Sequence, residues 1–164
     1  MNPARLVSLL SPKSVDPRRD QTDASTSPSK WTIADVALGL AGLDDPYAAA
    51  ARYRWAREES QLPLLERRLF AYAEELARRE SWPANYYRLD GERVPFALRD
   101  LVRLALLEDH YQAILKSGAA MAAMLGVSEH LWRRRISPKY EAIRGELENW
   151  NGIAYAHVRR RLGD

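Results

Sequence analysis

Three consecutive arginines, Arg133, Arg134 and Arg135, follow a serine, a glutamate and a histidine at Ser128, Glu129 and His130. A guanidinium can donate two parallel hydrogen bonds to guanine, and a glutamate can accept one from cytosine N4. On one helix, Ser128, Glu129 and His130 would lead, with Arg133 one turn on and Arg134 beside it. These residue types at this spacing suit the reading of base edges in a DNA groove. Arg134, Arg135, Lys139 and Lys116 are candidates for phosphate contacts, which set register and affinity rather than sequence preference. Arg159, Arg160 and Arg161 form a second cationic run. It is a candidate for a further contact to DNA or to a protein partner, and equally for a favourable interaction with the end of its own helix.

The elements that must hold these residues are legible in the stretch Ser117–Ile136, SGAAMAAMLGVSEHLWRRRI. Ser117 is placed to cap a helix reaching about Leu125. Gly126 supplies a left-handed backbone position that only glycine takes without steric penalty. Val127 is an apolar plug, and Ser128 is placed to cap a second helix, Glu129–Ile136. Ala122 sits four residues before the glycine, where crossing helices leave no room for a larger side chain. Met121, Leu125, Leu131, Trp132 and Ile136 supply a small core. Together these requirements describe a helix-turn-helix centred on Ala122–Ile136. Ser137-Pro138 is expected to end the second helix. Another is expected from Lys139 to about Trp150, with Tyr140, Ile143, Leu147 and Trp150 as its core stripe. Asn151-Gly152 is expected to break it before a last helix, Ile153–Leu162.

The rest of the chain reads as all-α. Thr32 and Asp35 have the spacing of a capping box for a helix to about Leu40, with Gly42 as its stop. Pro46 is expected at the first position of the next helix, capped by Asp44 or Asp45. Pro63 opens a helix whose stripe is Leu62, Leu65, Leu69, Tyr72, Ala73 and Leu76. Pro95 starts one with Leu98, Leu101, Val102, Ala105 and Leu106 on one side. Residues 81–94 contain Trp82-Pro83, Asp90-Gly91 and two tyrosines, and read as a loop or a small hairpin. Residues 11–30 are rich in Pro, Ser, Thr and Asp, so 1–30 reads as a flexible tail ahead of a helical body at 31–115 and a DNA-binding region at 116–164.

Composition narrows the classes. The 164 residues are 46% hydrophobic and 29% charged, with a net charge of +3. Residues 31–115 hold eleven basic and fourteen acidic side chains, and residues 116–164 hold nine basic and five acidic. The basic end suits a polyanion. There is no cysteine, which removes disulfides and thiolate chemistry. No apolar run approaches the ~20 residues of a membrane span. Leu6–Leu10 is too short for the core of a signal peptide. A cytoplasmic protein is expected, without metal, cofactor, membrane or small-molecule substrate. An enzyme is disfavoured, since Glu108, Asp109 and His110 are helix neighbours that point different ways. His110 and His157 read as partly exposed helix residues. Glu58-Glu59 and Glu74-Glu75 lack metal-ligand spacing with a histidine.

In layout, residues 95–150 resemble the fourth region of bacterial sigma factors. An initial helix leads into the Leu125-Gly126-Val127-Ser128 turn and an arginine-rich helix. Residues 31–162 resemble the Q-type transcription antitermination proteins of phages and prophages, AlpA-like members included. The likeness rests on size, on the helical body opening at Trp31, Thr32, Ile33 and Ala34, and on the basic helix-turn-helix; its motif-level part is Ala122–Ile136. The cysteine-rich zinc insert of the lambda-type members is missing, so zinc is not carried over. The resemblance implies binding to a DNA element near a promoter and loading onto a paused RNA polymerase that holds sigma. The factor then lets the enzyme pass terminators by altering its RNA exit channel. The positions matching the DNA-binding part are Ser128–Arg135. Arg52, Arg57 and Arg78 are polymerase-facing candidates on charge alone. A monomer is the favoured state. A dimer on palindromic half-sites would instead indicate a conventional repressor or activator, and a ring a phage DNA-packaging subunit. A pure interaction module would show no salt-dependent DNA binding.

Overall fold

The computed structural model describes residues 31–82, 86–89, 92–95, 98–111 and 117–163. The tail at 1–30 and Lys116 lie outside them. The described body is all-α: α1 Ile33–Gly39, α2 Tyr47–Trp55, a 3-10 turn Glu59–Gln61, α3 Leu62–Arg79, α4 Leu98–Tyr111, α5 Gly118–Leu125, a short α6 Glu129–Leu131, a π-helical turn Trp132–Ile136 and α7 Ser137–Leu162. Between α3 and α4 a two-stranded antiparallel ladder pairs β1, Tyr86–Leu89, with β2, Glu92–Pro95.

Local chemistry sets the helix ends. The Thr32 hydroxyl accepts from the Asp35 amide at 3.2 Å and the Asp35 carboxylate accepts from the Thr32 amide at 2.8 Å, a reciprocal box that opens α1. Gly42, at φ +80°, turns the chain just after α1. Pro46 occupies the cap position rather than the first turn of α2, and neither aspartate before it caps the helix. Pro63 sits in the first turn of α3, where its missing N–H costs nothing.

Two packed clusters follow. The larger joins α2, α3, α4, α5, the π turn and the first half of α7 around Tyr53, Leu65, Leu69, Leu106, Trp132 and Tyr140. Side chains from both sides of residue 115 share it. The α3 stripe is spent here, with Leu65, Leu69, Ala73 and Leu76 buried. The smaller cluster seats α1 on the far end of α7, through Val36, Leu40, Ala51, Ala154 and Val158. Gly39 makes that approach close, since a Cβ there would lie 2.5 Å from Val158 Cγ1.

The largest departure from the sequence reading is α7. Neither Ser137-Pro138 nor Asn151-Gly152 breaks it, and helical backbone continues from 129 to 162. Tyr140, Ile143, Leu147, Trp150, Asn151, Ala154 and Val158 are all buried along it. This continuous stripe outweighs the ~1 kcal/mol that a glycine costs inside a helix. Pro138 is accommodated by a local change of winding. The Ser137 N–H donates to the Trp132 carbonyl, five residues back, in a π-type turn that absorbs the missing proline donor.

Candidate nucleic-acid interface

The corner between α5 and the long helix is built from its caps. Ser117 Oγ accepts from the Ala120 amide at 3.1 Å, opening α5. Gly126 closes it at φ +68°. The Val127 amide then reaches the Ala122 carbonyl at 3.0 Å, the long-range bond of a Schellman ending. Ser128 Oγ accepts from the Leu131 amide at 3.2 Å and starts the next helix. Met121, Ala122, Trp132 and Ile136 are buried beneath the corner. Gly118 lets Trp132 approach, as a Cβ there would come within 3.0 Å of the indole nitrogen. Trp132 packs at 5.3 Å between ring centroids on Tyr140, whose hydroxyl donates to the Glu108 carboxylate.

With Trp132 and Ile136 anchored, the residues between them face outward. Ser128, Glu129, His130, Arg133, Arg134 and Arg135 are all exposed. Arg133 Nη2 donates to Glu129 Oε1 at 2.5 Å, an i,i+4 pair in which Arg133 is 73% exposed. Such a pair contributes little to stability in water, yet it holds the guanidinium along the helix. No carboxylate pairs with Arg134 or Arg135 among the described residues. Lys139 is already engaged: its Nζ donates to the Arg135 carbonyl at 2.9 Å and lies 5.5 Å from the centre of the Trp82 ring. Burial, and then Arg135, lower its pKa. Lys139 therefore links Trp82, three residues past the end of α3, to the π turn. Arg159, Arg160 and Arg161 stand exposed in the last turn of α7, at the α1 end of the rod and away from the corner. Arg57 and Arg78 are exposed and Arg52 is half-buried.

A second polar group of residues was not singled out from the sequence. Arg54 Nη1 meets Glu148 Oε2 at 2.7 Å and Asp109 Oδ1 at 3.3 Å, and Asn151 Nδ2 donates to Asp109 Oδ1 at 3.1 Å. Burial pushes the Asp109 carboxyl up to about 7, against the pull of Arg54. His110 is buried rather than partly exposed. Its Nδ1 lies 3.2 Å from the Tyr53 carbonyl, and burial lowers its pKa. His157 is half-buried. Asp109 and His110 extend the apolar stripe of α4 by one turn, and that spacing is the signal that could have found them.

Among the described residues no three His, Cys, Asp or Glu side chains come together as metal ligands, and no helix is long and apolar enough to cross a membrane. No protein-family model, curated protein or solved structure matches this chain.

Proposed function

We propose that this protein binds duplex DNA through the outward face of residues 128–135, as a regulator of transcription. One observation carries the reading. Six polar or charged residues, Ser128 to His130 and Arg133 to Arg135, are exposed at the leading end of a helix whose Trp132 and Ile136 are buried. A rigid helix end with donors and acceptors on its open side meets the needs of major-groove reading. Glu129 and Arg133 are the base-reading candidates, with Ser128 and His130 beside them. Arg134 and Arg135 are the phosphate candidates.

Within that class, the likeness to Q-type antitermination proteins supports loading onto a bacterial RNA polymerase that holds sigma, with the factor acting as a cytoplasmic monomer. Transcription in vitro on a template carrying a promoter, its flanking DNA and a terminator tests this. The wild type is compared with an Arg133→Ala, Arg134→Ala, Arg135→Ala variant. Antitermination predicts more full-length transcript with the wild type alone. A change in initiation with termination unaltered makes the protein a conventional regulator.

A further inference from the structure

One side of α7 is open to solvent, and it lacks what such a side normally carries. Between residues 142 and 158 every exposed residue is uncharged: Gly145, Asn149, Gly152, Ile153 and Ala156. Ile153 is 39% exposed. The solvent face of a helix is ordinarily polar and charged. Here the charged residues of the span are half-buried and turned to the body. Arg144 reaches Glu108 at 3.6 Å, Glu146 accepts from the Trp150 indole at 2.6 Å, and Glu148 holds Arg54 at 2.7 Å.

The core does not account for this face. At Gly145 and Gly152, nothing among the described residues lies within 4 Å of where a Cβ would stand. Neither glycine is therefore needed for packing against the described body, although glycine is a poor helix former. Charge returns at the two ends with opposite sign. Glu141 is exposed before the neutral stretch, and Arg159 and Arg160 are exposed after it. No carboxylate pairs with Arg160 among the described residues.

Such a face is complementary to itself. Let two copies lie antiparallel about a two-fold axis midway between Trp150 and Asn151. Gly145 is then level with Ala156 of the second copy, Asn149 with Gly152, and Glu141 with Arg160, with Arg159 beside it.

We infer that the exposed face of α7 is an interface between two copies of this protein, packed antiparallel, with Glu141 of each copy held by Arg159 and Arg160 of the other. The two glycines leave room for Asn149 and Ile153 of the opposite rod. This stands apart from the proposed DNA binding, because residues 128–135 lie beyond the paired stretch at either end. The two Arg133 are ~52 Å apart along the double rod, from a rise of ~1.5 Å per residue. That matches neither one nor two turns of duplex, ~34 or ~68 Å. The pair is a state of the free protein rather than a reader of palindromic half-sites, and each copy meets DNA singly.

The test is sedimentation of the full chain across a concentration series. One helix pair makes a small interface, so the mass should climb with concentration from 18.7 kDa toward twice that. Gly152→Lys sets a long cation against Asn149 of the second copy, and should stay at 18.7 kDa where wild type has doubled. Its thermal midpoint, read where wild type is monomeric, should equal or exceed that of wild type, since lysine is the better helix former and the space is open. Glu141→Arg should raise the dissociation constant about tenfold, because two symmetric ion pairs become repulsive. Adding Arg159→Glu and Arg160→Glu should restore it.

Wild type that stays monomeric up to millimolar concentration overturns the inference. A dimer that Gly152→Lys leaves intact does the same, since α7 is then not the interface. Pairing that Glu141→Arg weakens and the reversed arginines fail to restore overturns the antiparallel register.

Discussion

Asn151 Nδ2 donates to Asp109 Oδ1 at 3.1 Å and to the Leu147 carbonyl at 3.1 Å, which makes a residue of turn-forming type into a stitch between α4 and α7. Among the described residues, neither Asp109 Oδ2 nor Asn151 Oδ1 has a hydrogen-bond partner.

This arrangement gives folding a pH dependence of known sign. The unfolded carboxyl has its ordinary value of 3.8, and the folded one is raised to about 7. Between those values the folded state binds the proton more tightly. The stabilisation is complete below 3.8 and is lost as pH rises through about 7. His110 acts oppositely, since its lowered pKa favours the folded state above 6.5. Arg54, Arg57, Glu108 and Glu148 set the surrounding field. Asp109→Asn mimics the neutral acid and removes this term. In urea titrations from pH 5 to pH 8, the stability of wild type relative to Asp109→Asn should fall as pH rises. A constant difference would contradict a raised Asp109.

A Cβ on Gly39 would lie 2.5 Å from Val158 Cγ1, so α1 and α7 approach closely at this pair. Gly39→Ala should destabilise by about 1–3 kcal/mol, the usual cost of overpacking, although alanine is the better helix former. Val158→Ala opens the space, so the double variant should lose less than the two singles together. Chemical denaturation of the four proteins measures the coupling.

Gly126 has φ +68° and nothing within 4 Å of where a Cβ would stand. The penalty for Gly126→Ala is therefore one of backbone alone, about 1–2 kcal/mol. Gly126→Asn should cost less, because asparagine visits the left-handed region more readily. Equal losses for the two would show that something other than backbone conformation is at stake.

Ser128→Ala removes the bond to the Leu131 amide and should cost about 1 kcal/mol. Amide exchange would show the loss in the first turn after Ser128, with α4 and the middle of α7 unaffected.

The corner was legible because its signals are local. Ser117, Gly126 and Ser128 each act within three to five residues of themselves, and a sequence displays that range directly. The long helix was not legible for the opposite reason. Pro138, Asn151 and Gly152 are local stop signals, and they are overruled by distant partners: Ala51, Val36 and Leu40 on α1 and α2 take up Ala154 and Val158, and Asp109 takes up Asn151. The π turn was hidden because it is a compromise between Pro138 and the need to bury both Trp132 and Ile136. The contact of Lys139 with Trp82 was not legible, because nothing in the sequence says that Trp82 lies beside it.

The most direct test of the account is selection of duplexes from a random pool by the full-length protein at low salt, followed by affinity measurement with wild type and the Arg133→Ala, Arg134→Ala, Arg135→Ala variant. The account predicts enrichment of a defined sequence, and a variant that loses both affinity and preference. A single Arg133→Ala change should cost about 1–3 kcal/mol of discrimination at one base pair. A pool that emerges unenriched, with wild type failing to bind duplex DNA even at low salt, would contradict it.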